Sequence, residues 1–382
     1  MVERLRVCLV YDCLFPHTVG GAERWYRGVA ERLAAEGHEV TYLTLRQWDR
    51  GADPGVPSVD VITAGPRLSL YTRSGRRRIL PPLIFGAGVL VHLARRGRRY
   101  DVVHTASFPY FSLLAAGFLR RWGRYRLVVD WLELWTLSYW QDYLGRIGGW
   151  VGWRVQRACA RGPQRAFCLS ELHAARLRQE GLRSEVTVLR GIYAAPEPDA
   201  QVEAYVDPGP VVFAGRHIAE KRVPSLIPAI ARLPDVRGEI YGDGPDREQV
   251  LSLIRSHGLE GRVSAPGFVP HERVDAALRR ALCLVLPSRR EGYGLVVVEA
   301  CAAGTPAVVV ADPDNAATEL IEEGVNGFVA DSDSPEDLAA AIVRVREGGA
   351  ALRASTAEWY RANARRLSLE DSLERVAEGY RA

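Results

Sequence analysis

Lysine is nearly absent from this 382-residue chain: of its 50 basic residues one, Lys221, is lysine and the others are arginine. A composition shifted so far toward arginine that still keeps one lysine suggests that a compact ammonium is wanted there and a guanidinium fork is not; chance survival is the alternative. The six cysteines contain no C-x-x-C pair, and no His, Cys and Asp cluster has metal-ligand spacing. Neither a bound metal nor a dithiol redox site is therefore expected, and the cysteines read as reduced core residues of a reducing compartment. No apolar stretch reaches the ~18 residues of a membrane-spanning helix. The opening MVERLRVCLVYDCL enters a strand without a signal-peptide pattern, so a cytoplasmic protein is expected. A formal charge of +4 does not argue for nucleic acid as a partner.

What is present is an ordinary globular composition, 47% hydrophobic and 25% charged, at about twice the usual domain length. Two domains are the default. The Pro-, Ala- and acid-rich stretch AAPEPDA with the later DPGP is the best linker, giving expected domains over 1–195 and 210–366 around a linker at 196–209.

In the first half, 6–14 reads as a strand, Gly20-Gly21 precedes a helix over 22–36 ended by Gly37, and 40–45 is the next strand. This βαβ opening lacks the G-x-G-x-x-G dinucleotide fingerprint, and the double glycine serves either a tight turn or a ligand. Residues 61–100 hold nine arginines and no carboxylate around the apolar ILPPLIFGAGVLVHLA. That segment is either a core helix with solvated arginine ends, the preferred reading, or a surface resting on an anionic membrane, and its double proline argues against one regular interfacial helix. The strand at 101–105 ends at His104 and Ser107, positions that face the ligand crevice in an open α/β sheet. The strand at 126–129 runs into Asp130, Trp131 and Glu133, where Trp131, Trp135, Tyr139 and Tyr143 recur every four residues. Core packing is the simple reading of that stripe, and an acceptor-binding wall is the functional one.

The second half restarts the pattern. After a strand at 211–214, Gly215-Arg216 and Lys221 lie on the way into a helix, a phosphate-binding corner unless it is a surface loop paired with Glu220. The strand and loop at 263–270 can hold a nucleobase against Phe268. The stretch PSRREGYGLVVVEACAAGTPAVVV at 287–310 reads as strand end, loop, helix over 295–303 ended by Gly304, and strand. Gly292 and Gly294 let backbone N–H groups approach a ligand where the helix begins. Glu291 sits in that loop, and Glu299 sits in an apolar helical run where a carboxylate is costly unless satisfied. Glycines, a helix start and two carboxylates together suggest a ligand with anionic and hydroxyl-rich parts, such as a nucleotide sugar. Asp312-Pro313-Asp314 superficially matches a metal-binding DxD and reads rather as a helix cap, and Asp331-Ser332-Asp333 precedes Ser334-Pro335-Glu336-Asp337, an N-cap, first-turn proline and acidic first turn.

With Gly215-Arg216, Lys221, the Glu291/Glu299 pair, the GYGL loop and the EACAAGTP run in order, the chain resembles the retaining glycosyltransferases of the GT-B fold, glycosyltransferase family 4. The match is strongest over 211–345. It is looser in the first half, resting on Gly20-Gly21-Ala22-Glu23, DVVH at 101–104 and Ser170-Glu171. The resemblance implies an α/β fold of two Rossmann-like doubly wound domains facing a central cleft, with a C-terminal helix, here 367–382, crossing back to the first. It implies metal-independent transfer of a hexose from a nucleoside-diphosphate sugar, with no cofactor. Arg216 and Lys221 would neutralise the diphosphate and Glu299 would bind the ribose. Glu291 with the backbone of Gly292, Tyr293, Gly294 and Leu295 would hold sugar and phosphates, and Gly20, Gly21 and Gly215 would lie against the donor. The departing phosphate takes the acceptor's proton, so no protein nucleophile is required. Many members carry a His where this chain has Asp130-Trp131, which makes Asp130 the expected first-domain catalytic residue and His104, Trp131 and Glu133 the acceptor-side candidates. The acceptor is a glycan, a lipid-linked group or a small natural product. A nucleotide-sugar epimerase of the same fold and a non-catalytic binder are the competing functions, and peripheral association with the inner membrane face is a further expectation.

Overall fold

The computed structural model describes residues 4–18, 20–70, 72, 77–192 and 209–381. All of the expected linker except Gly209 lies outside them. The chain divides into two units, Met1–Ile192 with Leu369–Ala382, and Tyr193–Ser368.

The first unit is built on a parallel sheet of β1 (Arg6–Val10), β2 (Glu39–Leu45), β3 (Asp60–Gly65), β4 (Val102–Ala106), β5 (Arg126–Trp131), β6 (Arg165–Cys168) and β7 (Val186–Val188), in the order β3-β2-β1-β4-β5-β6-β7. Its central strands are apolar on both faces and buried, as a parallel sheet covered on both sides requires. The strand order reverses between β1 and β4, so their carboxyl ends flank the position where ligands enter such sheets. The helices are α1 (Gly21–Ala35), α2 (Leu80–Arg96), α3 (Tyr110–Gly123), α4 (Leu137–Ala160), bent at Gly145, and α5 (Glu171–Gln179).

The double proline does not break the segment at 80–96. Pro81 and Pro82 occupy the first turn of α2, where backbone N–H groups have no intrahelical partner to lose. Further along, a Cβ at Gly88 would collide with the Ala64 carbonyl, and one at Gly86 would lie 2.5 Å from the Phe111 Cβ. The helix backbone therefore presses directly on β3 and α3.

The second unit has a parallel sheet of β8 (Val211–Ala214), β9 (Gly238–Tyr241), β10 (Val263–Gly267), β11 (Cys283–Leu286), β13 (Ala307–Val310) and β15 (Gly327–Ala330), in the order β10-β9-β8-β11-β13-β15. A separate two-stranded ladder joins β12 (Arg290–Glu291) to β14 (Asp314–Asn315). Around them lie α6 (Val223–Ala231), α7 (Arg247–Ser256), α8 (His271–Arg279), α9 (Leu295–Ala302) and α10 (Pro335–Leu367). The reversal here falls between β8 and β11. Gly304 takes φ +70° just past α9, the left-handed stop expected of it. Ser334 caps α10, accepting from the Asp337 N–H at 3.1 Å. Asp312 is not the helix cap expected of it: its Oδ1 accepts from the Asp314 N–H at 3.2 Å, its Oδ2 receives the Arg222 guanidinium at 3.2 Å, and Asn315 caps the turn that follows. Buried Arg353 donates to the Ala281 carbonyl (3.1 Å) and to Thr305 Oγ1 (3.2 Å), gathering the chain ends beyond α8 and α9.

The final helix α11 (Leu369–Arg381) belongs to the first unit, where Gly28 of α1 makes room for Leu369. All six cysteines are buried free thiols, and burial pushes those of Cys159 and Cys301 up to about 12. Among the described residues no helix is long and apolar enough to cross a membrane, and no His, Cys, Asp and Glu group is arranged to hold a metal ion.

Candidate active site

At the reversal of the second sheet two chain segments leave neighbouring strand ends. One follows β8 through Gly215 and Arg216 into a tight turn ending at Lys221; the other follows β11 through Ser288 into β12 and Glu291. They are tied together by chemistry. The Lys221 ammonium pairs with Glu291 Oε1, which also accepts from the Ser288 hydroxyl at 2.8 Å, and the Arg289 N–H donates to the Glu220 carbonyl at 2.8 Å. Arg216 is exposed, and its guanidinium has no ion-pair partner among the described residues. The corner therefore holds one preorganised cation and one free one.

Asn315 is the residue that sequence reasoning missed here. Its Nδ2 donates to the carbonyls of Ser288 (3.1 Å) and Val310 (2.8 Å), while its Oδ1 accepts from the Ala317 N–H at 3.1 Å. A single buried amide thus fixes the loop that carries Glu291. Its signal was present, since Asn directly before the helical run AATEL is a good N-cap.

Gly294 opens α9 with φ +103°, and a Cβ there would lie 2.7 Å from the Ala317 Cβ. Only glycine fits. No side chain caps α9 and the Val297 N–H turns back to the Gly294 carbonyl at 2.9 Å, which leaves the N–H groups of Leu295 and Val296 to meet an anion. Gly292 and Leu295 are half-buried, whereas the Tyr293 side chain is in the core, leaving its backbone as the part able to meet a donor. Glu299 lies half-buried in the second turn of α9, and helical side chains tilt back toward the N-terminus. Phe268 is 75% exposed at the carboxyl end of β10, two strands out from β8, or about 10 Å at ~4.8 Å per strand.

The phosphate corner is braced from β9. Gly242 (φ +120°) and Gly244 (φ +152°) lie so close to the backbone of Gly215 and His217 that a Cβ at either would collide with it. His217 is fully buried, and neither ring nitrogen makes a well-formed hydrogen bond. Burial lowers its pKa, while Asp243 and the Tyr241 carbonyl oppose the shift. Protonation then favours the unfolded chain, so stability is full above the unfolded value of ~6.5 and is lost as pH falls through the folded one. His217→Leu is expected to raise stability by about 1 kcal/mol at pH 7 and to flatten this acid-side slope, measured by urea unfolding at several pH values.

In the first unit the buried residues correct the sequence reading. His104 and Trp131 are fully buried and Asp130 nearly so. Asp130 Oδ2 accepts from Trp25 Nε1 at 2.7 Å, and its Oδ1 lies 2.9 Å from His104 Nε2. His104 Nδ1 is 2.6 Å from the Tyr380 hydroxyl. Which of His104 Nδ1 and the Tyr380 hydroxyl donates depends on the tautomer, and His104 Nε2 makes no well-formed hydrogen bond to the carboxylate. Trp131 donates to Gln164 Oε1 at 2.8 Å. These three side chains hold α1, the sheet and α11 together and present no face to an acceptor. Glu133 is half-buried and accepts from Trp135 Nε1 at 3.1 Å. Of the aromatic stripe Trp135 meets buried Gln156 through its backbone, its N–H donating to Oε1 at 3.2 Å and its carbonyl accepting from Nε2 at 2.8 Å, and Tyr110 (2.9 Å) and Trp140 (3.1 Å) donate to the same Oε1.

Gly20 and Gly21 stand at the head of α1. The Glu23 carboxylate fills the space a Cβ at Gly20 would need, and the space beside Gly21 is open. At the β1/β4 reversal the structure places a pair that the sequence did not announce: fully buried Asp12 with Arg77, whose guanidinium lies 4.9 Å from the Phe108 ring centroid.

Two family models divide the chain, a glycosyl transferase 4-like domain over 20–191 and the glycosyl transferases group 1 over 196–366. Glycogen synthase of Mycobacterium tuberculosis is 28% identical over 90% of this chain and 85% of that protein. The lipopolysaccharide core biosynthesis glycosyltransferase LpsE of Rhizobium meliloti is 27% identical over 85% of each. Among solved structures, sucrose-phosphate synthase from Thermosynechococcus elongatus superposes with TM-score 0.80 at 21% identity, covering 99% of this chain and 98% of that one. HepE of Anabaena in complex with UDP-glucose superposes with TM-score 0.71 at 20% identity, covering 98% and 99%. Two parallel α/β units with these matches define a glycosyltransferase of the GT-B fold. Within that class the chain belongs to glycosyltransferase family 4.

Proposed function

We propose that the chain transfers a hexose from a nucleoside-diphosphate sugar to an acceptor hydroxyl, with retention at the anomeric carbon, without a metal or other cofactor, and in the cytoplasm. The observation that carries this reading is the meeting of Arg216, the Lys221–Glu291 pair and the uncapped start of α9 at one strand reversal. Two side-chain cations bring the charge that a divalent ion would bring to a diphosphate. The acceptor oxygen bonds to C1 on the face from which the diphosphate departs. As the C1–O bond to phosphate breaks, the acceptor's proton passes to the leaving phosphate oxygen, whose charge Arg216 and Lys221 meet. Glu299 binds the ribose hydroxyls and Glu291 those of the sugar. Gly215 lets the diphosphate approach, and Phe268 stacks on the base.

The relative solved with UDP-glucose supports a nucleotide-sugar donor. A thermal-unfolding screen against UDP, GDP and ADP tests it: a nucleotide at ~100 times its Kd stabilises by about 2.7 kcal/mol, and indifference to all three would sink the reading. Consumption of donor only in the presence of an acceptor then separates transfer from epimerisation and from simple binding.

A further inference from the structure

Apart from Phe268, every large apolar side chain that is exposed among the described residues lies between Ile79 and Val151, on or beside three helices of the first unit. On α2, Leu80, Leu83, Leu90 and Val91 form one stripe. On α3 the stripe is Leu114, Phe118 (81% exposed) and Trp122, and on α4 it is Leu144, Ile147 (83% exposed), Trp150 and Val151. The helices are neighbours: Gly86 of α2 meets Phe111 of α3, and Tyr110 of α3 donates to Gln156 of α4. At ~100° per residue, Gly86 falls between the buried stripe of α2 (Phe85, Val89, Leu93) and its exposed one. Leu114, Phe118 and Trp122 lie within about 60° of Phe111 by the same rule. Both exposed stripes therefore border one seam and make a single apolar surface.

Its charge is of one sign. Arg95, Arg98 and Arg99 follow the stripe of α2, Arg121 and Arg124 end α3, and Arg146 and Arg154 lie on α4; all seven are exposed and none has a carboxylate partner among the described residues. Asp142 is the one acidic residue in the three helices. The exposed tryptophans carry arginines on their faces, Arg98 at 4.2 Å from the Trp122 centroid and Arg154 at 5.6 Å from that of Trp150.

We propose that this surface docks the protein on an anionic phospholipid bilayer, with the apolar stripes in the interfacial region and the arginines on the headgroups. Tryptophan and arginine side by side suit that boundary. A second copy is a poor occupant, because a two-fold contact sets a surface against itself and would bring these unpaired arginines together. The docking surface is separate from the donor site of the second unit, so the two readings succeed or fail independently.

The test is flotation of the whole protein with vesicles of phosphatidylcholine alone or mixed with phosphatidylglycerol. Binding is expected on the mixed vesicles, with at least a tenfold loss on neutral ones and a loss at raised salt. Phe118→Glu with Ile147→Glu, both at exposed positions, should abolish it, and Arg121→Glu with Arg154→Glu should weaken it about tenfold or more, with nucleotide-induced thermal shifts unchanged in both. Equal binding to neutral vesicles, or undiminished binding by the Glu variants, overturns the proposal. So does a dimer in light scattering that Phe118→Glu dissociates, which would assign the surface to a second copy.

Discussion

Lys221→Ala is expected to lower kcat by about 10²–10³-fold, the loss typical when one preorganised group facing developing charge is removed, while the protein remains folded. The ammonium is held by a largely buried carboxylate that is itself fixed by the Ser288 hydroxyl and, through the loop, by Asn315. Such a charge needs no reorganisation as the diphosphate departs. Its removal leaves the Glu291 carboxylate with only the Ser288 hydroxyl, so the thermal midpoint should fall and rates are compared well below it. Lys221→Arg should stay slow as well, because the planar fork must fit beside Glu291 and Ser288 where a compact ammonium now sits. Initial rates at saturating donor, with a melting curve for each variant, decide the matter. Full activity in the alanine variant would falsify the assignment of the corner.

Removing the Asp130 side chain should act on stability first. In Asp130→Ala, Trp25 Nε1 loses its acceptor and His104 its carboxylate neighbour inside a sealed interior, and breaking one side of such a buried network costs about 3–5 kcal/mol. Urea unfolding followed by tryptophan fluorescence should show this as a shifted midpoint. Tyr380→Phe in the same background should cost less than it does alone, because His104 already has lost its other partner. A catalytic Asp130 gives the opposite pattern, with an unchanged midpoint and a collapsed turnover.

The second unit was far more legible than the first. Its site is written in short-range features: glycine after a strand, one lysine, and a glutamate beside a glycine that only a left-handed backbone admits. Each is recognisable within a few residues of its own position, even though Lys221 meets Glu291 across 70. Asp130 and His104 illustrate the failure in the first unit. Both stand at or near strand ends, where side chains often meet ligands, and what determines their fate is Tyr380, which lies 276 positions from His104 along the chain. No local pattern carries that pairing. Arg77 and Asp12 meet across 65 positions, again beyond the reach of spacing.

The placement of α11 has a consequence for biosynthesis. The first unit keeps a gap in its interior until residues 369–381 arrive, because Tyr380 supplies the hydroxyl that meets His104 Nδ1 and Leu369 fills the space over Gly28. Domains usually complete in the order in which a ribosome releases them. Here the order is inverted: the second unit can close as soon as its own chain is out, and the first, begun earlier, finishes last.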